Sequence, residues 1–595
     1  AAKKSTITGA VSQIDSRQIA VRPVTSVTAA LEGNMPGVIV NSTYGEPGTE
    51  PTIRIRGFGS VNGSSNPLIV VDGIPFSSTI SDLNSHDIES VTVLKDAASC
   101  ALYGNRASNG VILITTKRGR EHGMHFDLNI RQGFYDRGIS EYKRLNANQF
   151  METSWLNMRN SYLDNDHTLE QANAYTTANL IQERLYLNIY DKPADQLFDA
   201  NGKLVSDAHI LPGYADDLDW FDQSVRKGYR QEYNLSGSVV TDKSDSYFSV
   251  GYLNENGYLK NDGFERLNGR ATMNFRPKTW FYTGFTLSGS HQRANAAEGT
   301  NTNSLSNPFK ICRQIAPIYP VHRHNTDGSY VVDADGNRLY DSGVYIDESG
   351  GMVNSRNQFI DRNIIEESIL NSNRTFWNVL QGNFYMTANF LHDFSFTVTG
   401  DLNTRNQEKR IYESAQIGDA ASVNGRTTRQ NYRFKTYEFQ QQLRWNHTFG
   451  NHYVEALLGH ENYDYKYDYT YLVKTDQVFE GKDNLSNFNN MSTSRSQEDK
   501  YRTEGYLGRI RYDYAGKYHL EASFRRDGSS HFAKESRWGN FWSVGANWNV
   551  AKEAFMQPIT WVNSLKLRAD YGEVGNDDVG GYYPWVASYE PANNA

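Results

Sequence analysis

Five tyrosines recur at every second position in Tyr463-Asp464-Tyr465-Lys466-Tyr467-Asp468-Tyr469-Thr470-Tyr471, so an extended strand puts them on one face. Such a face could stack on sugar rings or on a partner protein, because aromatic side chains offer large amphipathic contact area. In a membrane barrel the same pattern is expected as the interfacial aromatic girdle, extended above the bilayer, and this is the reading the sequence favours. His322 and His324 could share a strand face and bind a metal, but no third ligand of suitable spacing accompanies them. Asp333-Ala334-Asp335-Gly336-Asn337 has the composition of a calcium loop, yet its glycine comes early and no glutamate closes the loop at the twelfth position, so a D-G turn is expected there as at Asp327-Gly328. Gly57-Phe58-Gly59-Ser60 fits neither a dinucleotide fingerprint nor a nucleophile elbow and reads as a turn. The carboxylates of Asp216-Asp217, Glu366-Glu367 and Asp577-Asp578 are adjacent, so on a strand they point to opposite faces and cannot cooperate. Cys100 and Cys312 are too few for a disulfide framework. No catalytic group, metal or cofactor is expected, and the chain does not read as an enzyme.

The elements that position these residues are extended ones. Glycine (48), tyrosine (38) and phenylalanine (28) are abundant while proline (15) is scarce, which suits many aromatic strands joined by turns rather than a helix bundle. Only 38% of residues are hydrophobic, and no run approaches the roughly 20 apolar residues of a membrane-spanning helix. A transmembrane barrel, however, hides its apolar signal at alternate positions of short strands. In Tyr437-Glu438-Phe439-Gln440-Gln441-Gln442-Leu443-Arg444-Trp445 four of the five odd positions are large and apolar and every even one is polar. The pattern repeats at Tyr506 to Tyr514, at Tyr518 to Phe524 across a short Ala515-Gly516 turn, at Trp542 to Trp548 and at Leu565 to Tyr571. From about Phe126 this period of two is expected to run to the end, with long polar connections at Thr302 to Arg362 and Gln407 to Arg433. A net charge of −8 gives no electrostatic case for nucleic acid.

Before residue 120 the pattern is a small α/β domain. Val24 to Leu31 reads as a helix, and Ile53 to Arg56, Leu68 to Val71, Ile88 to Leu94 and Val111 to Thr116 read as strands. Arg54 and Arg56 share one strand face, so Ile53 and Ile55 are expected to pack the domain core while the arginines meet carboxylates or water.

Here the chain resembles a known family. Met35-Pro36-Gly37-Val38, Thr52 to Gly57, Pro67 to Pro75, Asp87 to Ser99 and Leu102 to Gly119 follow one another as in the plug of SusC/RagA-type TonB-dependent outer-membrane transporters. Within these blocks Arg54, Arg56, Gly57, Asp72, Gly73, Lys95, Asp96, Tyr103, Gly104, Arg106, Asn109 and Gly110 carry the plug motif. Gly251 to Asn254, Gly263 to Arg266, Arg526 to Ser530 with Arg537 to Gly539, and Leu565 to Arg568 with Tyr571, Gly572, Gly575 and Asn576 look like signatures of the family's barrel.

The resemblance implies a transmembrane antiparallel β-barrel of about 22 strands in full, incomplete in this chain, with an N-terminal α/β plug in its lumen. Residues 1–20 would be the linker after an absent TonB box, 21–120 the plug, and 121–595 the N-terminal and central part of the barrel with long extracellular loops. The remaining strands would lie elsewhere, since an open sheet edge cannot face lipid. The implied function is TonB-dependent import of oligosaccharides or oligopeptides across the outer membrane of a Gram-negative bacterium. The implied partners are a SusD-like surface lipoprotein acting as a lid, the TonB-ExbB-ExbD energy-coupling complex, and lipid bilayer or lipopolysaccharide, with transporter and lid in a dimer of pairs. A siderophore or cobalamin receptor is the alternative within transport, and a surface binding or adhesion β-protein the alternative outside it.

Overall fold

The computed structural model describes residues 11–21, 26–41, 47–59, 64–76, 78–296, 304–347 and 349–587. Residues 1–10 of the expected linker, and positions 24 and 25 of the expected first helix, lie outside them; that helix is described as Val27–Ala30, with Ser26 Oγ accepting from Thr28 N at 3.2 Å as its N-cap.

All four strands expected in the N-terminal domain form. Its five-stranded sheet runs Val11–Asp15, Ile88–Leu94, Val111–Thr116, Leu68–Val71, Ile74–Pro75, and Val38–Asn41 pairs separately with Thr52–Ile55. Ile53 and Ile55 are buried against Val91, Val93, Ile112 and Ile114, as their alternation requires. The last sheet pair is closed by Asp72 and Gly73, whose φ values of 51° and 94° give the doubly left-handed turn that matches strand twist.

The second sheet has thirteen strands in the described residues, each hydrogen-bonded to its chain neighbours in simple meander order. They are β1 (Gly123–Tyr135), β2 (Gly228–Val240), β3 (Ser244–Asn256), β4 (Gly263–Lys278), β5 (Phe281–Asn295), β6 (Ser372–Phe390), β7 (Phe394–Glu413), β8 (Arg426–Phe449), β9 (His452–Gln477), β10 (Phe488–Tyr514), β11 (Tyr518–Ser529), β12 (Trp538–Trp548) and β13 (Leu567–Gly572). Every neighbouring pair is antiparallel, and the sheet curves around the N-terminal domain without closing, ending at β1 and β13. The β10–β11 turn has Ala515 and Gly516 at φ 53° and 66°, as the short turn in the sequence suggests.

Polarity is inverted relative to a water-soluble sheet. Leu128, Val250, Leu458 and Ile510 are 55–66% exposed, whereas Glu232, Arg266 and Asp527 are each 2% exposed. A soluble sandwich would bury the first group and hydrate the second. The outward apolar band is bounded at the tight-turn end by aromatic rings, with Phe390 against Phe394 (5.5 Å) and Tyr518 between Tyr514 and Trp548 (6.3 Å each).

Strands β8, β9 and β10 have 24, 26 and 27 residues, far more than the roughly 9–11 that cross a bilayer. Their outer faces record the excess. Along β9 the outward residues Val454, Ala456 and Leu458 give way to His460, Asn462, Asp464, Lys466 and Asp468. The expected connection at Gln407 to Arg433 is therefore mostly strand, with only residues 414–425 linking β7 to β8. The apolar/polar contrast vanishes there because both faces meet water, although the backbone ladder continues.

A second departure lies between β1 and β2. Residues 136–227, expected to be strands, form helices Ala147–Leu163 and Leu169–Asn179 with irregular chain, and pack with residues 304–371 into a lobe around Met151, Trp155, Trp220, Ile318 and Tyr319. The lobe is tied to the β3–β4 loop where Lys260 N donates to Ser224 O at 3.0 Å. It stands at the end carrying the long connections, which is the extracellular end of such barrels.

If the outward band meets lipid, Leu458→Arg should cost about 2–4 kcal/mol of folding stability in bilayers, whereas Asn462→Arg, two outward positions higher along the same strand, should cost about 0–1 kcal/mol. Folding titrations into lipid vesicles measure both, and equal costs would contradict the assigned membrane level.

Candidate functional site: the plug seam and the lumen above it

The N-terminal domain meets the sheet's inner face almost entirely through polar groups. Asn84 Nδ2 donates to Asn234 Oδ1 (2.9 Å), His86 pairs with Glu232 (3.1 Å), and Tyr247 OH donates to Asp87 (3.0 Å). Arg266 Nη1 donates to Ser81 O (2.8 Å), and Gln292 Nε2 to Asp82 (2.9 Å). Asp72, from the plug-motif turn, accepts from Thr116 N and Thr116 Oγ1 and from Arg270 of β4 at 3.0 Å.

The densest contact is made by Ala101–Arg106, the segment that follows the short helix Ala97–Cys100, which Asp96 caps by accepting from Ser99 N at 2.7 Å. Arg106 Nη2 donates to Glu461 of β9 at 2.6 Å, and its guanidinium lies 4.6 Å from the Tyr463 ring centre. Asn105 N donates to Asp527 of β11 at 2.9 Å and Asn105 Nδ2 to Asp577 at 3.0 Å, while Arg525 Nη1 donates to Leu102 O at 2.8 Å. Gly104 sits at φ 60°, and a Cβ there would stand 1.8 Å from Asp527 Oδ2 and 2.7 Å from Arg525 Nε. Only glycine allows the segment to press against the barrel wall so closely.

The other motif residues brace the domain internally. Arg54 Nη1 donates to Asn66 Oδ1 (2.7 Å) and its guanidinium lies 5.7 Å from the Phe58 ring, so it meets an amide and a ring rather than a carboxylate. Arg56 has a left-handed backbone (φ 57°) and donates its N–H to Gly37 O, with Gly57 following at φ 102°. Lys95 donates to Ser12 Oγ and Pro36 O, and burial with the nearby Arg56 charge holds its ammonium below the usual lysine range. Tyr103 packs beside Val111, and burial pushes its phenol up to about 12. Asn109 Nδ2 donates to Ser64 O (2.9 Å), and at Gly110 (φ 86°) a Cβ would stand 2.8 Å from Ile55 Cδ1. Thus Asp72, Gly104 and Arg106 meet the barrel, and the rest hold the domain in shape.

Of the barrel halves of these contacts, Asp527 falls in the Arg526 to Ser530 signature, whereas Glu461, Arg525 and Arg270 carry no motif in the sequence. Each sits on the wet parity of a strand, which is the signal available, but the plug partner it meets is 198 to 423 residues away. Each adjacent carboxylate pair splits between environments: Asp577 is bound by Asn105 and Tyr501 while Asp578 caps an exposed turn, and Asp217 is fully buried. Asp217 also explains the two histidines, since its oxygens meet His322 Nδ1 at 2.8 Å and His324 Nε2 at 3.0 Å. Burial pushes this carboxyl up, but the two histidine hydrogen bonds outweigh it and hold the group below its ordinary range. No group of three or more metal-ligating side chains is found among the described residues.

The tyrosine run is not a girdle. Tyr463, Tyr465, Tyr467, Tyr469 and Tyr471 share the face of Glu461, which bonds the plug, so they line the lumen. The expectation failed because parity, not composition, decides which side of the sheet a ring faces, and the band on the lipid side is built from other residues.

Comparison with known proteins agrees with this geometry. Residues 3–111 match the TonB-dependent Receptor Plug Domain family. The chain is 29% identical to the TonB-dependent receptor P39 of Formosa agariphila over 99% of its own length and 50% of that protein, and 24% identical to the TonB-dependent receptor SusC of Bacteroides thetaiotaomicron over 99% and 54%. It therefore spans about half the length of the curated relatives it matches. Its fold superposes on the RagAB peptide transporter with a TM-score of 0.77 at 21% identity, covering 99% of this chain and 63% of that one, and on the ferric citrate transporter FecA with a TM-score of 0.54 at 9% identity, covering 96% and 63%. A domain plugging an inside-out antiparallel sheet is the architecture of the TonB-dependent receptors that this chain resembles. Within that class the chain is SusC-like along nearly its whole length.

Gly104→Ala should unseat the 101–106 segment at a cost of about 1–3 kcal/mol, because a Cβ cannot share space with Asp527 and the left-handed backbone disfavours it. Gly133→Ala, where a Cβ meets nothing within 4 Å, is the control. Hydrogen–deuterium exchange should show faster exchange of the segment only in the first variant, and unchanged protection would count against this seating.

Proposed function

We propose that this chain forms the plug and a large part of the barrel of an energy-coupled outer-membrane importer of large nutrients, either oligosaccharides or oligopeptides. The observation that carries the reading is the polar seam between domain and sheet. A plug that must be remodelled to open a path is held by separable hydrogen bonds and ion pairs. Each has a net worth of only about 0.5–1.5 kcal/mol, or somewhat more where charged, because water replaces it when it breaks. An apolar seam would lose about 25 cal/mol for every Å² exposed, all at once.

In this reading the ligand binds between the extracellular lobe and the plug's upper surface, the signal reaches the periplasmic side, and the TonB-ExbB-ExbD complex pulls the plug with energy from the proton-motive force. The two sheet edges at β1 and β13 meet further strands in the assembled barrel, since neither can face lipid unpaired. A SusD-like surface lipoprotein closes over the lumen as a lid, in a dimer of transporter–lid pairs, as the likeness to SusC and to the RagAB peptide transporter supports.

The test separates binding from coupling. In a strain lacking the energising complex, or with the TonB-box region of the full-length protein deleted, uptake should cease while ligand binding at the cell surface persists. Uptake at the wild-type rate in either case would refute the energy coupling.

A further inference from the structure

The lumenal tyrosines are the large aromatic feature that neither the plug seam nor the lipid band accounts for. The rings of Tyr467 and Tyr469, and of Tyr469 and Tyr471, follow one another at 6.3 Å with interplanar angles of 9° and 17°. A second column stands beside them on β8, where Phe434 lies 5.2 Å from Tyr467 and Tyr432 lies 4.7 Å from Tyr469. The two columns are held by direct register, Phe434 opposite Tyr467 and Tyr432 opposite Tyr469. The lowest rung, Tyr463, rests on Arg106 of the plug. All four rings from Tyr465 to Tyr471 are half-buried; Tyr582 stacks on the lower two at 6.1 and 6.5 Å, and Tyr469 and Tyr471 stand above it.

We infer that this double column is a saccharide-binding track, on which successive sugar rings of a neutral oligosaccharide stack as the chain descends toward the plug. The inference rests on the import reading in taking the lumen as the ligand's route. A sugar ring has one face of C–H groups and a rim of hydroxyls. The ring columns match the first by apolar contact. Planar amide and carboxylate groups flank them for the second, with Gln497 Nε2 donating to Asp499 at 2.6 Å on β10 and Gln430 accepting from Tyr432 OH at 3.0 Å on β8. An extended peptide would instead seek free main-chain groups to pair with, and along the track β9 is paired on both sides, to β8 and to β10. The charges beside the columns are of both signs, Arg405 lying 5.9 Å from the Phe434 ring and Asp499 on the opposite flank, so no single-sign field selects an ionic ligand.

The full-length transporter, purified in detergent, would be probed with an array of neutral glycans of differing linkage and with a hexapeptide library, and the strongest glycan titrated by calorimetry. Tyr467→Ala/Tyr469→Ala should weaken that glycan by about tenfold or more, while Tyr467→Phe/Tyr469→Phe stays within about threefold, because the ring faces rather than the hydroxyls carry the contact. Leu458→Ala, on the lipid side of the same strand, should leave affinity unchanged and controls for folding. Undiminished glycan affinity in the double alanine variant, binding of hexapeptides alone, or no binding across the glycan array would each overturn the track. These equilibria need no energy source, so their outcome is independent of whether uptake proves to be energy-coupled.

Discussion

Everything in this molecule depends on a sheet whose charged side is the enclosed one. Glu232, Arg266, Asp527 and Glu461 stand on an inner wall whose charges pair only partly with one another, Arg230 with Glu232 and Arg525 with Asp527 and Glu461. The plug supplies partners for them, and in return its own exposed carboxylates and arginines find a wall that accepts them. The two domains are thus complementary in hydrogen-bonding capacity rather than in apolar area. That combination gives high specificity of seating with a modest cost of displacement per contact.

The seam is not uniform. Along β2 to β5 the plug is held by contacts spread across several strands, from Asn84, His86 and Asp87 to Asp72. Against β9 and β11 the contact is concentrated in one six-residue segment that carries Gly104, Asn105 and Arg106. Concentration makes this edge the one where a single change in the plug breaks the most bonds together. It also places the edge directly under Tyr463, so an event in the upper lumen and the seating of the plug share an arginine.

Much of this was legible in the sequence because the barrel's rule is local. Alternation assigns Tyr437, Phe439 and Leu443 to one side and Glu438 and Gln440 to the other without knowledge of any neighbour, and the strands of the plug betray themselves through β-branched runs such as Val111 to Thr116. What failed was whatever needed a second reference. Gln407 to Arg433 looked like a loop because the alternation of polarity ends where the bilayer ends, not where the strand does. The helical lobe at 136–227 was missed since its helices are weakly amphipathic and acquire their apolar face only by packing on residues 304–371. Partners such as Glu461 for Arg106 lie 355 residues apart, a distance no spacing rule spans.

The tyrosine run shows why side of the sheet is the harder question. Periodicity says that five rings share a face, but only one fixed contact says which face, and here that contact is the Arg106–Glu461 pair two residues before the first ring. Once that phase is set, it holds as far as Tyr471, because the first register shift on the strand comes later, between Val473 and Lys474. A single bulge placed two rungs lower would have turned the upper rings outward into the polar surroundings above the bilayer. The continuity of the ladder from the plug upward is therefore a property of uninterrupted pairing between β8, β9 and β10, and the unusual length of these three strands is what keeps the aromatic columns rigid above the membrane.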